Sequence, residues 1–344
     1  YPFLIHLLGG HIGLVLSVQV LLSAAKVPLV HALALRAGLH AKWALFAAGW
    51  MAIDPTDIIL SGSILTEAVF TTAILCGMLL LVGSSKTQHL VLAALCFALA
   101  TWFRPNALAI GLVAAAAHAF LHRRASRGHV LFAITLVLSV LPWMLRNQMR
   151  TGRFVLSDSG PVAAAYFHLP EVLTRAHDQR ASSYLKELHD RSMDTDWEDR
   201  AQVATYFSTL RQDVRNTLVE HPIAWTTAQL RKTLGTLAAP GRGHIRQYFG
   251  KASATGTGLV GLALLLTGTL LLGLLLALAR PSSLNKELCL LLVVSAAILF
   301  SAGISSVDAR FKTPALPLLM IVATWAIGSM LPALKKRMGG PWNS

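Results

Sequence analysis

One carboxylate and four cations sit where an apolar chain should exclude them. Glu67 lies in SGSILTEAVF, Arg104 in TWFRPNAL, Arg146 in LPWMLRNQMRTGRFV, and Arg310 and Lys312 in SSVDARFKTPALPLL, each at the edge of a long apolar run. Ionisable groups at membrane depth are costly and tend to be functional. An arginine grips a phosphate through its planar fork, and a lysine holds one as a point charge. A carboxylate facing the same cavity serves as acid–base partner, metal ligand or acceptor contact. The chemistry to expect is the handling of a lipid phosphate.

Each position has a second reading. Glu67 follows the turn Ser61-Gly62-Ser63, roughly 6 Å into a span at about 1.5 Å per residue; it either faces a polar cavity or is a protonated or paired glutamate within a helix bundle. Asp54 and Asp57, three apart in MAIDPTDII, share a helical face. They line that cavity, or Asp57 caps or wets the outer end while Asp54 satisfies backbone freed by Pro55. Arg104, beside Pro105 and Asn106, and Arg146, beside Trp143, are phosphate ligands or interfacial anchors. Arg310 and Lys312 read as a clamp on one cavity, with Asp308 paired to Arg310, or as an ordinary basic cluster. Pro314 and Pro317 fall at the start of a span, where missing backbone donors cost little.

The elements that must position these groups are membrane helices. Of 344 residues, 54% are hydrophobic and 13% charged, with mean hydropathy +0.58; a soluble chain carries about a quarter charged residues. Apolar runs predict an all-α, polytopic bundle of nine spans at about 11–31, 42–60, 63–82, 88–103, 106–121, 129–146, 256–279, 287–305 and 313–333. The alternation of a membrane β-barrel is absent. The chain divides into a module 1–146, a polar region 147–255 and a module 256–344.

Charge gives the orientation. Lys26, Arg36, Lys42, Lys86, Arg123, Arg124, Arg127, Arg280, Lys286, Lys335, Lys336 and Arg337 fall at alternate span ends, joined there by one acid, Glu287. Such ends face the cytoplasm. Region 147–255, which holds eleven of the sixteen acids, is then extracytoplasmic and the C-terminus cytoplasmic. The net charge of +14 is mostly topology, which argues against a nucleic-acid partner. Cys76, Cys96 and Cys289 lie in apolar runs, and the thirteen histidines form no HExxH or compact ligand set, so no disulfide or zinc framework is expected. His118 and His122, one turn apart, read as interfacial residues. Phosphate loops of the Walker type are also missing.

Region 147–255 reads as helical. A helix opens with Thr195 and Glu198 at capping-box spacing and stops at His221-Pro222. The next stretch, PIAWTTAQLRKTLGTL, puts Ile223, Leu230, Leu234 and Leu237 on one face beside Arg231 and Lys232. It is either a helix lying in the membrane interface or one packed on the outer domain.

In order, YPFLIHLLGG, SGSILTEAVF, TWFRPNAL, LPWMLRNQMRTGRFVLSDSG, an outer helical segment broken at HP, and DARFKTPALPLL cover essentially the whole chain. Each is weak alone. The ordered set resembles the membrane glycosyltransferase superfamily that includes the family 39 protein O-mannosyltransferases and the aminoarabinose transferase of lipid A. The resemblance implies transfer of a sugar from a polyprenyl-phosphate donor to an acceptor outside the inner membrane. Arg310 and Lys312 would clamp the donor phosphate, with Arg104 or Arg146 assisting. Glu67 would face the acceptor or a divalent metal, and Asp308, Asn106 and Asp57 would support the site. In the family the principal catalytic carboxylate precedes the YP segment. Here that segment starts at Tyr1, so the sequence is expected to be a fragment lacking its base and inactive alone. Two other classes share these features: a surface-polysaccharide polymerase or ligase, which uses a diphosphate donor, and a transporter, which needs a polar path to both faces and often repeated halves. A non-catalytic membrane scaffold is a further reading.

Overall fold

The computed structural model describes residues 2–123, 125–250 and 252–337, and these are built from helices. The first module contains α1 (Pro2–Leu7), α2 (Ile12–Arg36), α3 (Ala41–Ala52), α4 (Pro55–Ser61), α5 (Glu67–Leu81), α6 (Thr87–Phe103), α7 (Ala107–Leu121) and α8 (Arg127–Thr151). The polar region contains α9 (Ser159–Ala163), α10 (Leu169–Arg175), α11 (Tyr184–Met193), α12 (Arg200–Glu220), α13 (Pro222–Ala238) and α14 (Arg242–Phe249). The last module contains α15 (Ala254–Leu278), α16 (Lys286–Ala302), α17 (Ala309–Lys312) and α18 (Leu316–Arg337). Tyr1 and Arg124 lie outside the described residues, as do the side chains of Lys335, Lys336 and Arg337.

A helix, or a bent pair, occupies each of the nine apolar windows, but they are not alike. The helices α2, α8 and α15 are long and apolar enough to cross a membrane. The pair α3–α4 is bent by 54° where Pro55 follows Asp54, and α5, α6, α7 and the apolar part of α18 are shorter. Leu21, Leu45, Leu138, Leu265 and Leu275 on these helices are exposed. Apolar surface this extensive needs lipid rather than water around it.

Inside the bundle, α5 packs on α2 and α6, α6 on α8, α7 on α16, and α18 on α3 and α15. Small residues permit the close crossings, as is usual between membrane helices. A Cβ added at Gly273 of α15 would stand 2.6 Å from the Ala323 Cβ of α18. This crossing fixes the helix that follows Arg310. A smaller core in the polar region gathers Ala165, Leu169, Leu173, Tyr184, Leu188 and Leu210.

Three expectations need correction. Lys26 is not at a cytoplasmic end. The helix α2 runs past Pro28 to Arg36, which leaves Lys26 buried in its interior, with Nζ donating to both carboxylate oxygens of Asp57, 2.6 Å to Oδ2. Asp57 therefore neither wets the outer end nor lines a cavity. The Thr195–Glu198 capping box does not form: α12 begins at Arg200, and Asp199 caps it by accepting from the Ala201 amide at 2.8 Å. Asp196 accepts from the Glu198 amide instead, a local turn that outcompetes the helix. His118 is buried, not interfacial, and its Nδ1 is 3.0 Å from His129 Nε2. The helix break at His221-Pro222 falls where it was expected.

Candidate functional site

The first turn of α5 supplies the carboxylate. Glu67 is its first residue, where a negative charge suits the helix dipole, and it is 3% exposed. Arg104 caps the end of α6. Pro105 holds it in an extended conformation, φ −141° and ψ 113°, which turns the side chain off the helix axis. Its Nε donates to Thr66 Oγ1 at 2.9 Å, and its Nη2 donates to Glu67 Oε1. Arg310 comes from α17, a single turn between α16 and α18, and its Nε stands 3.8 Å from the same Oε1.

Two guanidinium groups thus flank one carboxylate oxygen. Aromatic rings steady both: Arg104 lies 5.4 Å from the Phe70 ring centroid and Arg310 lies 4.8 Å from that of Phe311. The hydrogen bonding is incomplete. Glu67 Oε2 and Arg310 Nε are buried atoms without a hydrogen-bond partner. Buried polar atoms are nearly always bonded, so each orphan requires a reason. The cluster carries two cations to one anion, and Arg310 is its more exposed member. This arrangement suits an anion that approaches Arg310 from outside.

Of the other expected residues, Lys312 does not join this cluster. Two positions along a helix is more than half a turn, and its Nζ donates to Ala239 O at 2.6 Å and Thr267 Oγ1 at 3.3 Å on the far side of α17. Asp308 touches the backbone of Arg310 rather than its guanidinium: Oδ1 accepts from the Arg310 amide at 2.8 Å and lies 2.7 Å from His244 Nε2. Arg146 is exposed and stacks 4.7 Å from the Trp143 ring centroid, as an anchor does. Asn106 donates to Ser301 Oγ at 2.9 Å and ties α7 to α16. Asp54 accepts from the Asp57 amide at 2.9 Å and so caps α4 beyond Pro55.

Thr66 and His244 also belong to this neighbourhood. The helix α14 that carries His244 fits because Gly241, just before it, has φ +77° and a Cβ there would collide with Thr56 Oγ1. Thr66 had a signal, its place directly before Glu67. His244 had none, because its partner Asp308 is remote in sequence.

Among the described residues, the polar region has one group of potential metal ligands: Asp178, Glu220 and His221 offer atoms within 4.8 Å of one another. Arg180 already bridges Asp178 and Glu220 at 2.8 and 2.6 Å. Hydrogen bonds from Arg180 hold the Asp178 carboxyl well below the usual range. The group is a closed ion-pair network with its cation supplied by the chain.

No protein family, curated protein or solved structure matches the chain. The glycosyltransferase resemblance rests on the ordered motifs alone.

Proposed function

We propose that the chain belongs to an integral membrane glycosyltransferase, with nine spans, region 147–255 outside and the C-terminus inside the inner membrane. It transfers a sugar from a polyprenyl-phosphate donor. The observation that supports this most is the shared Glu67 oxygen: Arg104 and Arg310 meet there, and Glu67 Oε2 and Arg310 Nε remain unbonded.

In the reaction the bond from the anomeric carbon to the polyprenyl phosphate oxygen breaks. A bond from the acceptor oxygen to that carbon forms, and the acceptor proton passes to a general base. The leaving phosphate gains negative charge. Fixed cations aimed at a developing charge are the strongest lever available to such a site. Arg310 would contact the phosphate. Glu67 holds Arg310 and Arg104 side by side against their mutual repulsion, and Arg104 is positioned by Thr66. Lys312, bonded elsewhere, has no part in the clamp.

The test is sugar transfer by the full-length protein from a short-chain polyprenyl-phosphate sugar. Arg310→Ala should abolish transfer while the protein still folds. Transfer at the wild-type rate in that variant removes Arg310 from the mechanism. Transfer from a diphosphate-linked donor alone would favour a polysaccharide polymerase, and solute uptake by proteoliposomes without transfer would favour a transporter.

A further inference from the structure

The helix α13 is built inside out. Its buried residues are Ala228, Gln229, Lys232 and Thr236, three of them polar. On the opposite face Ile223, Leu230 and Leu234 are 82%, 50% and 63% exposed. The donors of Gln229 and Lys232 on the polar face bond within the protein. Gln229 donates to Phe300 O, and Lys232 donates to Phe167 O and, at 3.0 Å, to Ser305 O. A helix bathed in water would place these faces the other way round.

The depth of the helix follows from its neighbours. Phe300 O belongs to the last turns of α16. At its other end, the Ala239 carbonyl and Thr267 Oγ1 accept from the same Lys312 ammonium. Thr267 lies in the middle of α15, the most apolar of the membrane-length helices. The C-terminal end of α13 is therefore level with hydrocarbon, and Leu230 and Leu234 lie only one to three turns away from that end. Arg231 lies beside the apolar stripe; its Nη1 donates to Glu171 Oε1 at 3.1 Å, and its side chain is otherwise largely exposed. A cation there suits lipid phosphates.

We propose that α13 is an interfacial helix of the outer leaflet, with Ile223, Leu230 and Leu234 against phospholipid acyl chains and Arg231 among the headgroups. Its partner is the bilayer, not another protein. Because Lys232 and Gln229 bind the segment 300–305, this lipid contact also steadies the connection that leads to Arg310.

The test uses the whole chain in phospholipid nanodiscs, with Cys76, Cys96 and Cys289 replaced by alanine. A spin label is attached in turn at Ile223→Cys, Leu230→Cys, Leu234→Cys and, as a control, Glu198→Cys. Oxygen should broaden the spectra at 230 and 234 more than a water-soluble nickel chelate does, at a depth of roughly 5–10 Å. The order should reverse at 198. Greater nickel accessibility at 230 and 234 would overturn the proposal, as would shielding from both reagents, the mark of a protein partner. Labels at Thr226→Cys and Thr227→Cys, both on exposed residues, give the same readout if a leucine variant fails to fold. Labelling reports on lipid alone, so it can succeed or fail whatever the Glu67 site binds.

Discussion

The Arg310 guanidinium stands 3.8 Å from Glu67 Oε1, although the two residues come from opposite ends of the chain. Arg104 binds the same oxygen and Thr66, and Arg310 makes no hydrogen bond through its Nε. The two arginines are thus unequal: one is tied into the bundle, the other is held nearby and left with a free donor.

That inequality predicts a split between stability and binding. Arg104→Ala leaves Glu67 buried without its direct partner, and removing one member of a buried pair costs about 3–5 kcal/mol. Arg310→Ala leaves the Arg104–Glu67 pair whole and should cost under about 1 kcal/mol, as for other partly exposed pairs. Unfolding in detergent, followed by circular dichroism, should show a large drop for the first variant and a small one for the second. Equal losses would contradict the arrangement.

The Lys26–Asp57 pair should behave as a buried structural tie between α2 and α4. Lys26→Met alone should lower stability by about 3–5 kcal/mol, because Asp57 is then buried and unpaired. Lys26→Met combined with Asp57→Leu should recover most of that loss. A double variant as unstable as the single one would mean that the pair contributes through something other than charge.

Close packing at Gly273 makes the crossing of α15 and α18 sensitive to added volume. Gly273→Val must push Ala323 away, since even a Cβ would meet it at 2.6 Å. Overpacking of this kind costs about 1–3 kcal/mol. Gly261, with open space around it, is the control. Comparable melting temperatures for Gly273→Val and Gly261→Val would count against the crossing.

His168 should make the region 147–255 sensitive to acid. Burial, helped by the Lys232 cation and opposed by Glu171, pushes its imidazole down to about 4. The ring packs edge-on to Trp225 at 4.5 Å. A folded-state value below the ordinary 6.5 means that the unfolded chain takes up the proton first. Stability is therefore whole above about 6.5 and falls as the pH drops towards 4, by at most about 3 kcal/mol. Proteolysis of residues 164–190, measured between pH 7.5 and 4.5, should rise across that window and flatten in His168→Phe. An unchanged pH profile in the variant would assign the effect to another group.

Much of the fold was legible because apolar length is a strong signal: every expected window holds a helix. Lys26 misled because a span cut at residue 31 places it near an end, while α2 continues to Arg36. At the site, Glu67, Arg104 and Arg310 were readable as charges that lipid rejects. Their meeting was not readable, because it depends on how α5, the α6–α7 turn and α17 pack. Lys312 and Asp308 were misassigned for a simpler reason. On a single helical turn, residues two apart point different ways, and a side chain two residues before a helix amide caps that amide.

The most direct measurement is the affinity of the purified protein for a short-chain polyprenyl monophosphate, by native mass spectrometry. Wild-type protein should bind the monophosphate better than the matching alcohol. Arg310→Ala should lose about tenfold or more, the worth of one charge-assisted hydrogen bond, while Arg146→Ala keeps the wild-type affinity. Equal binding by the Arg310→Ala variant and the wild type would contradict a lipid-phosphate site at Glu67, Arg104 and Arg310.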